Sequence, residues 1–354
     1  MGPSIINDAV IEWKISCSRR LDLNAGEEIY SVADGAHEPV PERSGRALIR
    51  AFVGVTDRDW FDLLSKITDI DEVNFWQPSG NHHFMAIVPG ELFLFKLHSP
   101  ANFIVGGGWF SYSTLLPTSL VWEAFKEKNG AASLPEMRMR IEKYRQKKAS
   151  LFEDYLIGNI ILTQPFFFSK EAWIPIPYDW KPNIVTGKRY DLDAEPGRSL
   201  WFAVQERLAD VPSALMTGSR PPRYGDPVLH TPRLGQGGFR IMVTDAYSKK
   251  CAVTGEKTLP VLEAAHIRPY GEGGEHEINN GILFRSDIHT LFDRGYVTVD
   301  RDFRFDVSRR IREDFENGRD YYKLAGAPLI LPGDSAKRPD PSLLCWHNEN
   351  RFLG

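Results

Sequence analysis

Three polar residues near the C-terminus have the types and spacing of a hydrolytic centre: His266, Asn280 and His289, set in VLEAAHIRPY…NNGILFRSDIHTLFDRG. The first histidine precedes the asparagine by fourteen positions, and the asparagine precedes the second histidine by nine. A neutral imidazole has an ordinary pKa of ~6.5, so a histidine can deprotonate a water for in-line attack on a phosphodiester near neutral pH. The departing 3′ oxygen then develops negative charge, which a divalent cation can neutralise while holding the scissile phosphate. His266 is the candidate base and His289 the candidate metal ligand.

Such residues need elements to hold them. FRIMVTDAY reads as a helix, CAVTG as a strand end with a turn, and VLEAAHI as a strand delivering His266. INNGILF brings Asn280 to the start of a second strand, and SDIHTLFDRG starts a helix at Ser286 with His289 one turn in. Further donors lie nearby: Glu263, His276, Asp287 and Asp293. Strand alternation predicts that Glu263 faces away from His266. Asp287 falls on a different side of the helix from His289, whereas Asp293 lies one turn after it on the same side, so Asp293 is the better second metal ligand. Arg268, Arg285 and Arg294 are candidate bidentate phosphate donors.

The segments RLGQGGFR, CAVTG, EAAHIRPY, NNGILFRSDIHTLFDRG and VTVD resemble HNH endonucleases of the restriction type, over roughly Arg233 to Asp306. The resemblance implies a ββα-metal fold hydrolysing phosphodiesters around one divalent ion, Mg²⁺ or Mn²⁺, with Ni²⁺ or Co²⁺ as further options. It also implies that Asn280 braces the loop and helps set the orientation of the base. Many HNH enzymes place an Asp or His directly before the catalytic histidine; this chain has Ala265 there, which leaves the metal shell open.

Upstream, ALIRAFVGVT reads as a buried strand and DWFDLLSKI as a helix. EVNFWQP, HFMAIVP, LFLFKL and NFIVGGGWFSY follow as short strands between Pro and Gly turns, which suggests a small barrel or a strongly bent sheet. Two helices, SLVWEAFKEKNG and SLPEMRMRIEKYRQKK, precede the strand IGNIILTQPFFF, and SLWFAVQERLADV makes one more helix. AFVGVTDRDWF, VNFWQPSG, PGELFLFKLH and FIVGGGWFSYS resemble the PUA-like superfamily, which includes EVE, ASCH and SRA domains. That resemblance implies a pocket for a nucleic-acid base and, in restriction enzymes joining such a domain to HNH, recognition of a flipped modified cytosine. Trp76, Trp109 and Tyr112 are candidate stacking walls, with Asn74 and Ser111 as edge readers and Gly106–Gly108 allowing close backbone approach. Alternation sends Trp109 and Phe110 to opposite faces.

The expected architecture is therefore α+β: an extension at 1–45, a PUA-like β-barrel with flanking helices at 46–211, a Pro-, Gly- and Arg-rich linker at 212–238, and the nuclease at 239–354. A chain of 354 residues suits two or three domains. The net charge of −4 runs against nucleic-acid binding as a sum, yet Arg138, Arg140, Lys143, Arg145, Lys147 and Lys148 cluster, as do Arg220, Arg223, Arg233 and Arg240, and Arg309, Arg310 and Arg312. No apolar run approaches the ~18 residues of a membrane span, and a cytoplasmic protein is expected. Cys17, Cys251 and Cys345 lie far apart and read as reduced thiols. The leading expectation is cleavage of double-stranded DNA carrying 5-methyl- or 5-hydroxymethylcytosine, by a homodimer or by sequential nicking. The alternatives are a reader for unmodified sequence, phosphorothioate DNA or RNA, and a binding module with a decayed nuclease.

Overall fold

The computed structural model describes residues 49–145, 150, 153–210 and 234–354. The expected extension at 1–45, most of the expected linker, and Lys147, Lys148, Arg220, Arg223 and Arg233 lie outside the described residues.

The apolar runs of the N-terminal half build one seven-stranded sheet. Its strands are β1 (Arg50–Thr56), β2 (Glu72–Gln77), β3 (Leu92–Leu97), β4 (Phe103–Pro117), β5 (Leu156–Phe167), β6 (Ile174–Pro175) and β7 (Gly187–Asp191). The order is β2-β5-β4-β3-β1-β7 with β6 also on β4, and only the β1–β3 pairing is parallel. Four helices accompany it: α1 (Arg58–Leu64), α2 (Thr118–Phe125), α3 (Leu134–Arg145) and α4 (Gly197–Asp210). α1 lays Trp60, Phe61 and Leu64 on one face, against Phe75, Phe93, Phe95 and Phe110. α4 lays Leu200, Trp201, Val204 and Leu208 on the other, against Trp109. Covered on both faces, β3 is buried along its whole length, which is why it reads as an unbroken apolar run.

Trp109 and Phe110 point to opposite faces, as alternation requires. A closed barrel does not form among the described residues. β2 and β7 stand at the two ends of the strand path, and the sheet bends through register shifts in the long β4. The glycine run serves that bend rather than a ligand: a Cβ on Gly106 would sit 2.2 Å from the Phe166 carbonyl oxygen on β5.

The C-terminal part begins with α5 (Gln236–Ala246), followed by β8 (Leu262–His266), β9 (Gly281–Arg285), α6 (Ser286–Asp293), the hairpin β10 (Val297–Val299) and β11 (Phe305–Val307), α7 (Arg310–Phe315), α8 (Arg319–Tyr322) and α9 (Pro341–Asn350). β8 and β9 pair antiparallel with His266 opposite Gly281, and α6 follows β9 without a break. Phe239, Phe284, Ile288, Phe292, Val297, Phe305 and Leu344 close a core beneath them.

α5 starts three residues earlier than its apolar pattern announces, at a position expected to be linker. The cause is tertiary. Glu72 of β2, fully buried, accepts the amide hydrogens of Gly237 (2.7 Å) and Gly238 (2.9 Å) and so satisfies the first turn of the helix. The glycines of RLGQGGFR make room for it: a Cβ on Gly235 would lie 2.4 Å from the Glu72 carboxyl carbon. Ile241 of α5 is buried with Leu116, Phe125 and Ile161 of the large sheet and its helices, so α5 packs on both halves of the chain.

Among the described residues, no helix is long and apolar enough to cross a membrane. Cys251 is a free, buried thiol. Cys17 lies outside the described residues.

Candidate active site

β8 ends at His266, whose ring lies flat against Phe239 of α5, with centroids 3.8 Å apart and planes 13° from parallel. Its Nε2 lies 2.9 Å from Nδ1 of His276, in the loop between β8 and β9. Tyr270 stacks in turn on His276 at 4.7 Å and 4°. Burial, reinforced by His276 and His289, pushes the His266 pKa down to about 4, so this imidazole is neutral at pH 7. His276 is also held below its ordinary value, chiefly by burial.

Asn280 is buried and does not touch His266 directly. Its Oδ1 accepts the Arg268 amide hydrogen, and its Nδ2 donates to the carbonyls of Arg268 and Glu275, each at 2.9 Å. It therefore ties the residues just after His266 to the residue just before His276.

His289 projects from the first turns of α6. Its Nδ1 lies 2.7 Å from Glu263 Oε2 and its Nε2 lies 3.3 Å from Asp293 Oδ2. With the Nδ1 hydrogen donated to Glu263, Nε2 presents a lone pair beside the Asp293 carboxylate. Burial raises the pKa of Asp293 above the usual carboxylate range, against the opposing pull of His289 and Arg351. The expectation that Glu263 faces away from His266 is overturned: Glu263, Ala264, His266, His289, Asp293 and Arg351 all border one cleft of about 580 Å³.

The donors fit a cation of modest size. The 3.3 Å between His289 Nε2 and Asp293 Oδ2 is close to the ~3 Å edge of an octahedral shell with ~2.1 Å bonds. Among the described residues no cluster of three or more His, Cys, Asp or Glu is arranged to hold a metal, so protein donors supply only part of such a shell.

The other residues singled out from sequence divide. Asp287 accepts two hydrogen bonds from Arg285 (2.8 and 2.6 Å) and one from the Tyr321 hydroxyl (3.2 Å), so Arg285 is engaged within the fold rather than extended toward a phosphate. Arg268 donates to the Glu272 carbonyl at 2.7 Å and lies over Trp346. Arg294 is exposed at the C-terminal end of α6. Phe239, Tyr270 and Arg351 had no signal in sequence, since an aromatic or an arginine beside the site looks like any other.

The expected base-pocket residues are not gathered in one place. Asn74 is buried and donates to Asn129 and Asn159 side chains, each at 2.9 Å. Trp109 belongs to the core under α4, and Ser111 is buried. Tyr112 reaches Asp245 of α5, and burial together with that carboxylate pushes its phenol up to about 12. Trp76 borders a cleft of about 840 Å³, together with Asp57, Trp60, Gln77, Asn81, His98 and Tyr144. There His98 and Tyr144 stack at 6.0 Å and 7°, and the Tyr144 hydroxyl donates to Asp57. The sequence pattern missed this cleft because its walls come from β1, β2 and α3, far apart in the chain.

A search of curated proteins finds no match. Among solved structures, the ASCH protein from Zymomonas mobilis is similar at 9% identity and a TM-score of 0.27, covering 43% of this chain and 93% of that one. The modification-dependent restriction endonuclease TagI is similar at 12% identity and a TM-score of 0.25, covering 79% of this chain and 75% of that one. Residues 251–300, which carry His266, Asn280 and His289, match the HNH endonuclease family.

Proposed function

We propose that the chain is a modification-dependent DNA endonuclease in which residues 46–211 read a modified base, with 5-methyl- or 5-hydroxymethylcytosine the preferred candidates, and residues 239–354 cut. The observation that carries the reading is the single cleft shared by the neutral His266 imidazole and a histidine–carboxylate pair. His266 takes the proton of the attacking water. Glu263 orients His289, and Asn280 braces the loop around the base. His289 and Asp293 would hold a divalent ion, Mg²⁺ or Mn²⁺, which when bound supplies neutralisation of the charge developing on the leaving oxygen. Arg294, together with Arg351 at the cleft, meets the DNA backbone.

For the reader, the 840 Å³ cleft replaces the pocket expected from sequence. Trp76 and the His98–Tyr144 stack provide flat walls, and Asp57, Gln77 and Asn81 provide groups for a base edge. Stacking returns about 1–3 kcal/mol per base, which offsets the few kcal/mol of unstacking. Cutting both strands with one centre per chain requires two copies or successive nicks.

The test is digestion of matched duplexes containing unmodified, 5-methyl- or 5-hydroxymethylcytosine, each with Mg²⁺ or Mn²⁺. Cleavage confined to a modified duplex is expected. Equal cutting of all three overturns the reader assignment, and no cutting with either metal overturns the nuclease assignment.

A further inference from the structure

The proton-accepting atom of His266 is not selected by Asn280 or His289. Asn280 bonds only to backbone, and His289 acts on His266 at a distance. The group in hydrogen-bond contact with the ring is His276, through Nε2 of His266 and Nδ1 of His276 at 2.9 Å. That contact occupies Nε2, so abstraction of a water proton falls to Nδ1 of His266. Nδ1 bears a lone pair only in the tautomer that carries its hydrogen on Nε2, and that hydrogen must then be donated to His276.

We propose that His276 is a positioning residue for hydrolysis: its Nδ1 accepts the Nε2 hydrogen of His266 and thereby fixes both the tautomer and the ring orientation of the base. The proton taken from the attacking water rests on Nδ1 of His266, and the Nε2 hydrogen stays in its bond to His276, so no proton crosses between the rings. The surroundings make His276 a rigid acceptor. Tyr270 covers one face of its ring, and Asn280 holds the carbonyl of Glu275, immediately before it, at 2.9 Å. Phe239 stacks on His266 and limits tilting of the base ring about the hydrogen bond. The asparagine of the motif thus reaches the base indirectly, through the loop that delivers His276. This inference rests on the assignment of His266 as the base.

The experiment compares His276→Ala, His276→Asn and His276→Gln in the full chain. Asparagine keeps an acceptor near the Nδ1 position, whereas glutamine moves it toward the Nε2 position. Cleavage of the best-cut duplex is measured as kcat and KM with Mg²⁺ or Mn²⁺, and the His266 tautomer is read by ¹⁵N NMR of histidine-labelled protein. His276→Ala is expected to lower kcat by ~10- to 100-fold, the usual cost of losing a residue that orients a reacting group, with little change in KM. His276→Asn recovers most of the rate, His276→Gln does not, and His266 loses its fixed Nε2–H tautomer in the alanine variant. Parental kcat in His276→Ala, or an unchanged His266 tautomer in that variant, overturns the inference. His266→Ala serves as the control: if it cuts at the parental rate, the assignment of the base itself fails, whereas the tautomer measurement still judges the contact.

Discussion

Replacing Glu72 by alanine should loosen α5 and, through it, the catalytic histidine. The carboxylate is fully buried and accepts two amide hydrogens from the first turn of α5, with Lys128 3.4 Å away. Removing it leaves two buried amides without an acceptor, at ~1–3 kcal/mol each. Loss of negative charge at a helix N-terminus adds ~0.3–1 kcal/mol. Part of this is returned, because burying the carboxylate is itself unfavourable: desolvation raises its pKa despite Lys128 and the two amides. The net loss is about 3 kcal/mol, which at a urea dependence of ~1–3 kcal/mol per molar moves the unfolding midpoint down by roughly 1 M or more. Because Phe239 on α5 lies against His266, cleavage should slow as well. Glu72→Gln keeps one acceptor oxygen and should fall between parent and alanine. Urea unfolding followed by tryptophan fluorescence, with cleavage rates on the same preparations, makes the comparison. A Glu72→Ala protein with parental midpoint and parental rate would refute this account of how α5 is held.

Acid should destabilise the nuclease half in a defined window. His347 is buried, bonded to Thr298 and the Phe292 carbonyl, and burial lowers its pKa to about 4. A depressed native value means the unfolded chain takes up the proton first, so this contribution, about 3 kcal/mol, is present above pH ~6.5 and lost as pH falls toward 4. His266 acts with the same sign. Urea midpoints at stepped pH check this, and a midpoint that holds or rises between pH 6.5 and 4 contradicts it. Separately, Glu263→Gln removes the carboxylate from His289 Nδ1 and should weaken Mn²⁺ binding ~10- to 100-fold by calorimetry; unchanged affinity would exclude an orienting role.

The placement of His266, Asn280 and His289 was legible because its geometry is local. A strand, a second strand paired to it and the helix that follows span only His266 to His289, so spacing along the chain nearly determines spacing in space. Asp293 was legible for the same reason, one helical turn from His289. The place of Glu263 was not legible, because its partner His289 stands 26 residues away on the helix. In the N-terminal half, continuous apolar runs announced the buried strands, and alternation correctly separated Trp109 from Phe110. It did not tell a core tryptophan from a cleft-lining one, since both are buried aromatics on short strands; Trp76 borders a cleft, and Trp109 packs in the core.

By itself the sequence determined the local layout: the strand, loop, strand and helix that carry His266, Asn280 and His289, set by hydrogen-bonding periods of two and 3.6 residues. Tertiary structure decided the rest. It gathered the 840 Å³ cleft from β1, β2 and α3, laid Phe239 on His266, and seated Glu72 on a helix 165 residues away. Those contacts depend on burial between distant segments, and burial, unlike hydrogen-bond periodicity, leaves no register in the chain that could name its partner.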